Sequence, residues 1–298
     1  MRIIFALYLG ALSRIGAIGR RPSGTAGSGV DSEMEMPDSV AFEQVDLRAR
    51  ALGETYRGIG ILVIALGVLA VLCAVAPLAL ESGHESTKLW AICEVALMAS
   101  IVAAVAWLHH ARIRDQWIEV RRAAEVLRYA GLHSQLGSLS SALAQGHDAS
   151  GAAATLQREL DETLRAQVGY NQHKHEHYEQ IEHAASVVGL IVFASACAAA
   201  VAHLFVHWPW LLFFTAIAPL LAGALHGING FLRLSDLSDA HRDTALRLQA
   251  IVERMAGWVD APPEPAKLLE LGNEGYAVLV SGDARWREMA RTLNPKLG

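Results

Sequence analysis

The side chains best suited to chemistry lie in the segment Tyr170–His183, which carries four histidines. His173 and His177 are four residues apart and share one helix face, a spacing that can hold Zn²⁺ or a similar ion. Glu176 or the amide of Gln180 could add an oxygen ligand. No cysteine and no HExxH pattern joins them, and alternating histidines face different sides of a helix. The pattern is therefore interpreted as a solvated helix face, with a pH-responsive surface as the alternative.

A second set of polar side chains interrupts stretches that are otherwise apolar. Glu94 stands near one end of such a stretch, where it either reaches the interface beside Lys88 or lines a polar cavity. His226, Asn229 and Arg233 occur at i, i+3 and i+7 and form one polar stripe along a helix. Because ionisable groups in lipid are costly, these residues are candidates for the lining of a pore, and close helix packing is the other interpretation.

Small residues accompany this polar stripe. Gly223 and Gly227 form a GxxxG pattern, and Ala96, Ser100 and Ala104 form a comparable ridge on another apolar stretch. Such ridges let helix backbones approach closely in a membrane. They predict helix packing within the chain or between its copies, and we expect a homo-oligomer.

The sequence contains no recognisable catalytic constellation. GxSxG and CxxC patterns are absent, and the segment Gly24–Gly29 lacks the lysine and the preceding strand of a phosphate-binding loop. The net charge of −5 suggests no surface for nucleic acid. The chain is therefore predicted to be non-enzymatic, without a metal or cofactor and without a nucleic-acid partner.

Four apolar stretches dominate the chain and must position these side chains. They are Gly58–Leu80, Leu89–Leu108, Ala184–Val206 and Pro209–Leu232. Each has about the 20 residues that a helix needs to cross a bilayer. The short separation within each pair predicts two tandem helical hairpins. The predicted fold is an all-α integral membrane protein with four spans and amphipathic cytoplasmic helices.

Lysine and arginine are distributed unevenly around these stretches. Residues 109–183, the segment before Gly58 and the segment after Leu232 are rich in them. By contrast, the connection within the first pair holds one lysine, Lys88, and the connection within the second pair holds none. The positive-inside rule then places both termini and residues 109–183 in the cytoplasm. We expect a multi-pass protein of the bacterial inner membrane, with the lipid bilayer as a partner.

The segments that follow the two hairpins match each other at a constant offset. Arg112 and Asp115 align with Arg233 and Asp236, at the same point of each half. The match predicts two parallel copies of one unit, a hairpin followed by a cytoplasmic helix. Apolar residues at spacings of three and four also predict amphipathic helices. The clearest stripes are Leu156, Leu160, Leu164 and Val168, and Ala245, Leu248, Val252 and Met255.

These patterns divide the chain into five segments. Residues 1–39 are predicted to be disordered or wrongly assigned to the protein, with the true start at Met34 or Met36 and a signal peptide as the alternative for the first residues. The other segments are a first hairpin unit at 40–131, a flexible linker at 132–154, a second hairpin unit at 155–260, and a cytoplasmic tail at 261–298 with a short helix around Glu274–Leu293.

The segment Trp117–Arg128 is a helix rich in arginine and glutamate that directly follows two spans. Through Arg121, Glu125 and Arg128 it resembles bacterial SLATT-type modules, which are membrane hairpins with a cytoplasmic helix. Trp286 and the doubled hairpin are similar to the form fused to SLOG sensor domains. The resemblance implies an effector that oligomerises and permeabilises the inner membrane in a bacterial antiviral or conflict system. Since no sensor domain precedes the first hairpin here, it also implies a separate cytoplasmic sensor protein as partner.

The sequence therefore favours a pore-forming or membrane-perturbing effector that is triggered through its cytoplasmic helices. The alternative is a non-conducting membrane scaffold whose cytoplasmic helices recruit a soluble partner. A transporter fits less well, because four spans are few and neither a charge nor a broken helix marks a substrate site near the middle of the membrane.

Overall fold

The computed structural model describes residues 39–80, 84–258 and 263–292. Of these residues 92% are helical and none lies in a strand. The predictions for the first 38 residues, including the start at Met34 or Met36, fall outside the described ranges. The helices are α1 Ser39–Ala79, α2 His84–His110, α3 Ile113–Arg128, α4 Ala130–Ala144, α5 Ser150–His203, α6 Pro209–Leu232, α7 Leu234–Ala256 and α8 Pro265–Thr292.

Four of these helices, α1, α2, α5 and α6, are long and apolar enough to cross a membrane. This finding confirms the predicted number and order of apolar helices. The longest, α5, runs through 54 residues without a break, so its polar first half and its apolar second half form one rod. In the same way α1 begins with polar residues and becomes apolar at Gly58.

The two hairpins, α1–α2 and α5–α6, lie side by side and contact each other through α1 and α6. One buried cluster joins Ile61 of α1 to Ile181 of α5 and to Ile228 of α6. Each of these residues stands close to the point where its helix changes between polar and apolar sequence. The polar ends of both hairpins therefore lie at the same end of the molecule.

Each hairpin is followed by the same backbone joint. Arg112 lies between α2 and α3 with φ 47° and ψ 36°, and Arg233 lies between α6 and α7 with φ 51° and ψ 47°. Among the described residues these are the two non-glycine residues with positive φ, a left-handed conformation that typically ends a helix. The Nε of each arginine bonds the aspartate three residues later, at 3.4 Å to Asp115 and 2.5 Å to Asp236. The joints bear out the predicted alignment of the two halves.

Beyond the apolar helices lies a polar bundle, formed by α3, α4, α7, α8 and the polar halves of α1 and α5. Its core is one buried cluster to which α4, α5, α7 and α8 contribute. Leu156, Leu160 and Leu164 of α5 are fully buried there, and Leu248 of α7 packs in the same cluster. The two amphipathic stripes predicted for α5 and α7 are thus confirmed as core faces.

Two helices of this bundle differ from the prediction. The flexible linker predicted for 132–154 is wrong over most of its length, because α4 spans Ala130–Ala144 and the turn before α5 is short. Leu132, Leu136 and Leu139 are buried on one face of α4, and their spacing is hidden among serines and glycines. Gly131, the last residue of the predicted first hairpin unit, lies inside α4. The last helix, α8, also begins earlier than predicted, at Pro265, a position that proline tolerates well.

Candidate functional site

The outward face of α6 carries both the polar stripe and the glycine ridge predicted from sequence. His226, Gly223, Gly227 and Gly230 are exposed, and Asn229 is half-buried. A Cβ built on any of these three glycines would meet no atom within 4 Å. The ridge is therefore not used for packing inside the chain, which leaves contact with another molecule or with lipid.

A shallow cavity of about 450 Å³ lies beside this face, at the polar end of α6. Its polar lining comes from His226 and Asn229 of α6, from Glu182 of α5 and from Asp236 of α7, with Arg233 at the joint. The three residues of the predicted polar stripe thus lie together. The structure adds two carboxylates from other helices, which sequence spacing alone did not place there.

The candidate residues of α2 separate into two groups. Ala104 packs on the cluster that contains Leu108 and Trp117, so it contributes to packing within the chain. Ala96 and Ser100 are exposed, and the Ser100 hydroxyl donates to the Ala96 carbonyl at 2.8 Å. Glu94 is half-buried. The ridge predicted on α2 is therefore open to the surroundings along only part of its length.

The histidine cluster lies on the polar half of α5. The rings of His173 and His177 stack with centroids 6.3 Å apart, and His175 Nδ1 lies 2.8 Å from the Ser238 hydroxyl of α7. Within the described ranges no group of three or more His, Cys, Asp or Glu side chains is arranged to hold a metal ion. These contacts give His175 a role in joining α5 to α7, while His177 faces the central cavity described below.

An ionic cluster joins α1 to α3 and consists of Asp46, Arg50, Arg121, Glu125 and Arg128. Asp46 is only 4% exposed. Its carboxylate accepts from Arg121 at 3.2 Å and lies 2.7 Å from Arg50 and 3.6 Å from Arg128. Glu125 pairs with both Arg121 and Arg128. The three residues that carried the family resemblance are therefore linked to one buried acid, which the sequence analysis missed.

A central cavity of about 490 Å³ opens next to this cluster, where the polar halves of α1 and α5 meet α3, the end of α6, α7 and α8. Arg57 lies over the Trp117 ring at 5.1 Å, and Lys174 Nζ lies 5.7 Å from the Tyr170 ring centre. Charged and aromatic side chains from both hairpin units dominate its walls. They include Arg50, Glu54, Arg57, Trp117, Arg121, Glu125, Arg128, Tyr129, Tyr170, Lys174, His177, Tyr178, Arg233 and His241.

Electrostatics in the central cavity are set by burial and by the surplus of cations. Burial, followed by the positive charges of Lys174 and Arg121, lowers the pKa of His241 to about 4. Its Nδ1 lies 2.7 Å from the Asn171 side-chain oxygen, so neutral His241 donates this hydrogen bond. Burial also raises the pKa of the Tyr129 phenol, with Glu125 as the second cause. His241 and Tyr129 are therefore both neutral near pH 7.

Sequence reasoning found only part of this site. Arg121, Glu125 and Arg128 were singled out by resemblance, whereas Asp46, Arg57 and His241 were not. Asp46 and Arg50 have helical i,i+4 spacing, which was a usable signal for an ion pair but not for burial. Trp286 belongs to α8, and its side chain lies outside the described part of the structure.

Comparison with known proteins identifies one region of similarity. Residues 40–133 match the model of a family described as a protein of unknown function, DUF4231. The matched range contains the first hairpin, α3 and the complete ionic cluster. Neither the curated proteins nor the solved structures contain a match to the chain. The first hairpin unit thus carries a DUF4231 domain, for which the family model names no function.

Proposed function

We propose that this chain is an integral protein of the bacterial inner membrane whose copies associate through α6 and form a polar pore. In this proposal it is a non-enzymatic effector, both termini are cytoplasmic, and a cytoplasmic sensor protein triggers opening. The family-like helix α3 and the sensor-fused proteins that the chain resembles support an antiviral or conflict role.

The observation that carries the proposal is the composition of one exposed face. Gly223, Gly227 and Gly230 leave room for a second helix, and His226 is exposed on the same face. A polar side chain facing lipid is unfavourable unless it meets water or another polar group. Close approach of α6 helices from several copies would surround the polar stripe with equivalent residues and shield it from lipid.

The other apolar helices support the same arrangement. In the most apolar part of α2 no residue is buried inside the chain, so this helix is free to face lipid or a neighbouring copy. The polar ends of both hairpins lie together, and the lysines and arginines concentrate there, which by the positive-inside rule favours a cytoplasmic polar bundle.

A leakage assay tests this function. The purified protein is reconstituted in vesicles at a high ratio of protein to lipid, so that association does not depend on the sensor protein, and release of an entrapped dye is measured together with cross-linking between copies. Gly227→Leu should abolish most cross-linking and most release, because the larger side chain keeps the α6 helices apart. The matched control is Gly189→Leu in α5, another apolar-helix glycine whose built Cβ meets nothing within 4 Å. It should behave like the wild type.

The polar residues are tested separately from association. His226→Ala and Asn229→Ala should preserve cross-linking but reduce release and, in cells, reduce the loss of membrane potential on expression. Cross-linking without release from the wild type, with a soluble partner retained by the polar bundle, would replace the pore by the scaffold alternative. Equal effects of Gly189→Leu and Gly227→Leu would overturn the role of the α6 face.

A further inference from the structure

The central cavity has the size and location of a ligand site. Its volume of about 490 Å³ falls within the range of about 300 to 1,000 Å³ that small-molecule sites occupy. Its walls come from both hairpin units, and it lies directly beside the apolar ends of α1, α5 and α6. A ligand in this position would contact each unit of the chain at once.

The charges around the cavity select for an anion. Six of its lining residues are lysine or arginine and two are glutamate, and Asp46 adds one further carboxylate behind Arg121 and Arg128. A surplus of positive charge therefore remains after the ionic cluster is counted. In a partly enclosed space of low polarisability this surplus attracts an anion more strongly than an exposed patch would.

Lys174 is one of the lining cations that lie outside the ionic cluster. Lys174 forms no ion pair among the described residues, and its ammonium lies over the Tyr170 ring. Lys174 and Arg121 line the same cavity. Arginine and lysine converging on one space are the usual ligands of a phosphate group.

We propose that the central cavity binds a phosphate-bearing ligand, with Lys174, Arg57 and Arg121 around the phosphate and Trp117 and Tyr178 beside the rest of the molecule. The phosphate belongs either to a soluble metabolite or to a lipid headgroup. A headgroup is included because the cavity lies beside the apolar parts of α1, α5 and α6. This proposal does not depend on pore formation, because the binding experiment below measures no flux across a membrane.

Lys174 provides the sharpest variant. Replacing Arg121 would remove the cation that Asp46 and Glu125 share and weaken the ionic cluster, whereas Lys174→Ala removes a cation that no carboxylate requires. Lys174→Arg keeps the charge and serves as rescue. The matched control is Arg122→Ala, which removes an exposed cation adjacent to Arg121 that does not line the cavity.

Binding is measured on the full chain in an uncharged detergent as the shift of the thermal unfolding midpoint, read by circular dichroism. Inorganic pyrophosphate is the soluble probe, with sodium chloride of equal ionic strength as reference. Short-chain phosphatidic acid added to the micelles is the lipid probe, with phosphatidylcholine as reference. Stabilisation by pyrophosphate alone identifies a soluble source, and stabilisation by phosphatidic acid alone identifies a headgroup.

We expect saturable stabilisation by at least one probe. Lys174→Ala should weaken the apparent affinity by about tenfold, the effect of one lost charge-assisted hydrogen bond. Lys174→Arg should restore it and Arg122→Ala should leave it unchanged. No saturable stabilisation by either probe, or equal losses in Lys174→Ala and Arg122→Ala, would overturn the assignment. A failed leakage assay would leave this result untouched.

Discussion

The two hairpin units share one backbone plan but hold it with different chemistry. In both units an apolar hairpin ends at a left-handed arginine, after which a helix folds back onto the polar half of the first helix. In the first unit α3 is held to α1 by the ionic cluster around Asp46, next to a small apolar cluster with Trp117. In the second unit α7 packs on α5 through a broad apolar core that includes Leu160 and Leu248.

This difference predicts different responses to mutation. Truncating an apolar side chain costs stability that grows with the volume of the cavity left behind, and neighbouring side chains limit this cost by partly filling the gap. A buried charge has no such recourse, because a lost partner leaves the remaining charges uncompensated. The first unit also contributes Arg50, Arg57, Arg121 and Arg128 to the walls of the central cavity. An apolar interface would not provide this positive charge. Four experiments, in order of decreasing expected effect, test this contrast and the contacts between the two units.

Removing the buried acid should have the largest effect. Asp46→Asn leaves Arg50, Arg121 and Arg128 without their shared carboxylate, and we expect a loss of about 3 to 5 kcal/mol in the free energy of unfolding. Denaturation in mixed detergent micelles, followed by circular dichroism, measures the loss. The exposed pair of Asp161 with Arg165 is the control, and Asp161→Asn should cost less than about 1 kcal/mol. Similar values for both variants would contradict the contrast.

Truncating the core of the second unit should come next. Leu160 is fully buried, and Leu160→Ala should lower the free energy of unfolding by about 3 kcal/mol through lost burial and a residual cavity. The same denaturation assay applies. Leu246→Ala on the exposed side of α7 is the control and should stay within about 0.5 kcal/mol of the wild type. A loss below 1 kcal/mol for Leu160→Ala would show that α5 and α7 are not held by their leucines.

The third experiment uses pH, at the contact between the units. His241 faces Lys174, His175, Tyr170, Tyr178 and Asn171 of α5 and Arg121 of α3.

The pKa of His241 is lowered from 6.5 to about 4 in the folded chain, so below about pH 6.5 the unfolded chain binds a proton that the folded chain does not. The contribution of His241 to stability is complete above that pH and is lost towards pH 4, by about 3 kcal/mol at most. Unfolding free energies across this window should show a smaller acid loss in His241→Gln. The exposed His110→Gln should keep the wild-type profile, and an unchanged profile in His241→Gln would refute the prediction.

The smallest effect concerns the contact between α1 and α6. A side chain at Gly60 would clash with the Phe231 ring, and Gly60→Ala should destabilise the chain by about 1 to 2 kcal/mol. Gly67 lies in the same apolar helix with open space around it. Gly67→Ala should be neutral or stabilising by up to about 1 kcal/mol, as alanine favours a helix. The thermal unfolding midpoint should separate the two variants, and a stabilised Gly60→Ala would mean that the hairpins do not approach closely there.

Much of the fold was predictable from local sequence. Hydropathy located α1, α2, α5 and α6. A helix makes its backbone hydrogen bonds within one segment, so a long apolar run in the sequence is enough to identify it. The joints at Arg112 and Arg233 were predictable as equivalent positions from the repeated Arg and Asp residues. The helix α4 was missed because serine and glycine obscured three leucines whose burial depends on α5 and α8.

The sequence by itself determined the number of apolar helices, their pairing into hairpins and the amphipathic faces of α5 and α7, because these follow from periodicity and composition within one segment. Only the tertiary structure decided that the glycine ridge of α6 faces outward, that Asp46 lies between three arginines, and that Arg57, Lys174 and His241 share one cavity. Those relations join residues that are distant in sequence, and they depend on how the hairpins pack against each other rather than on any local pattern.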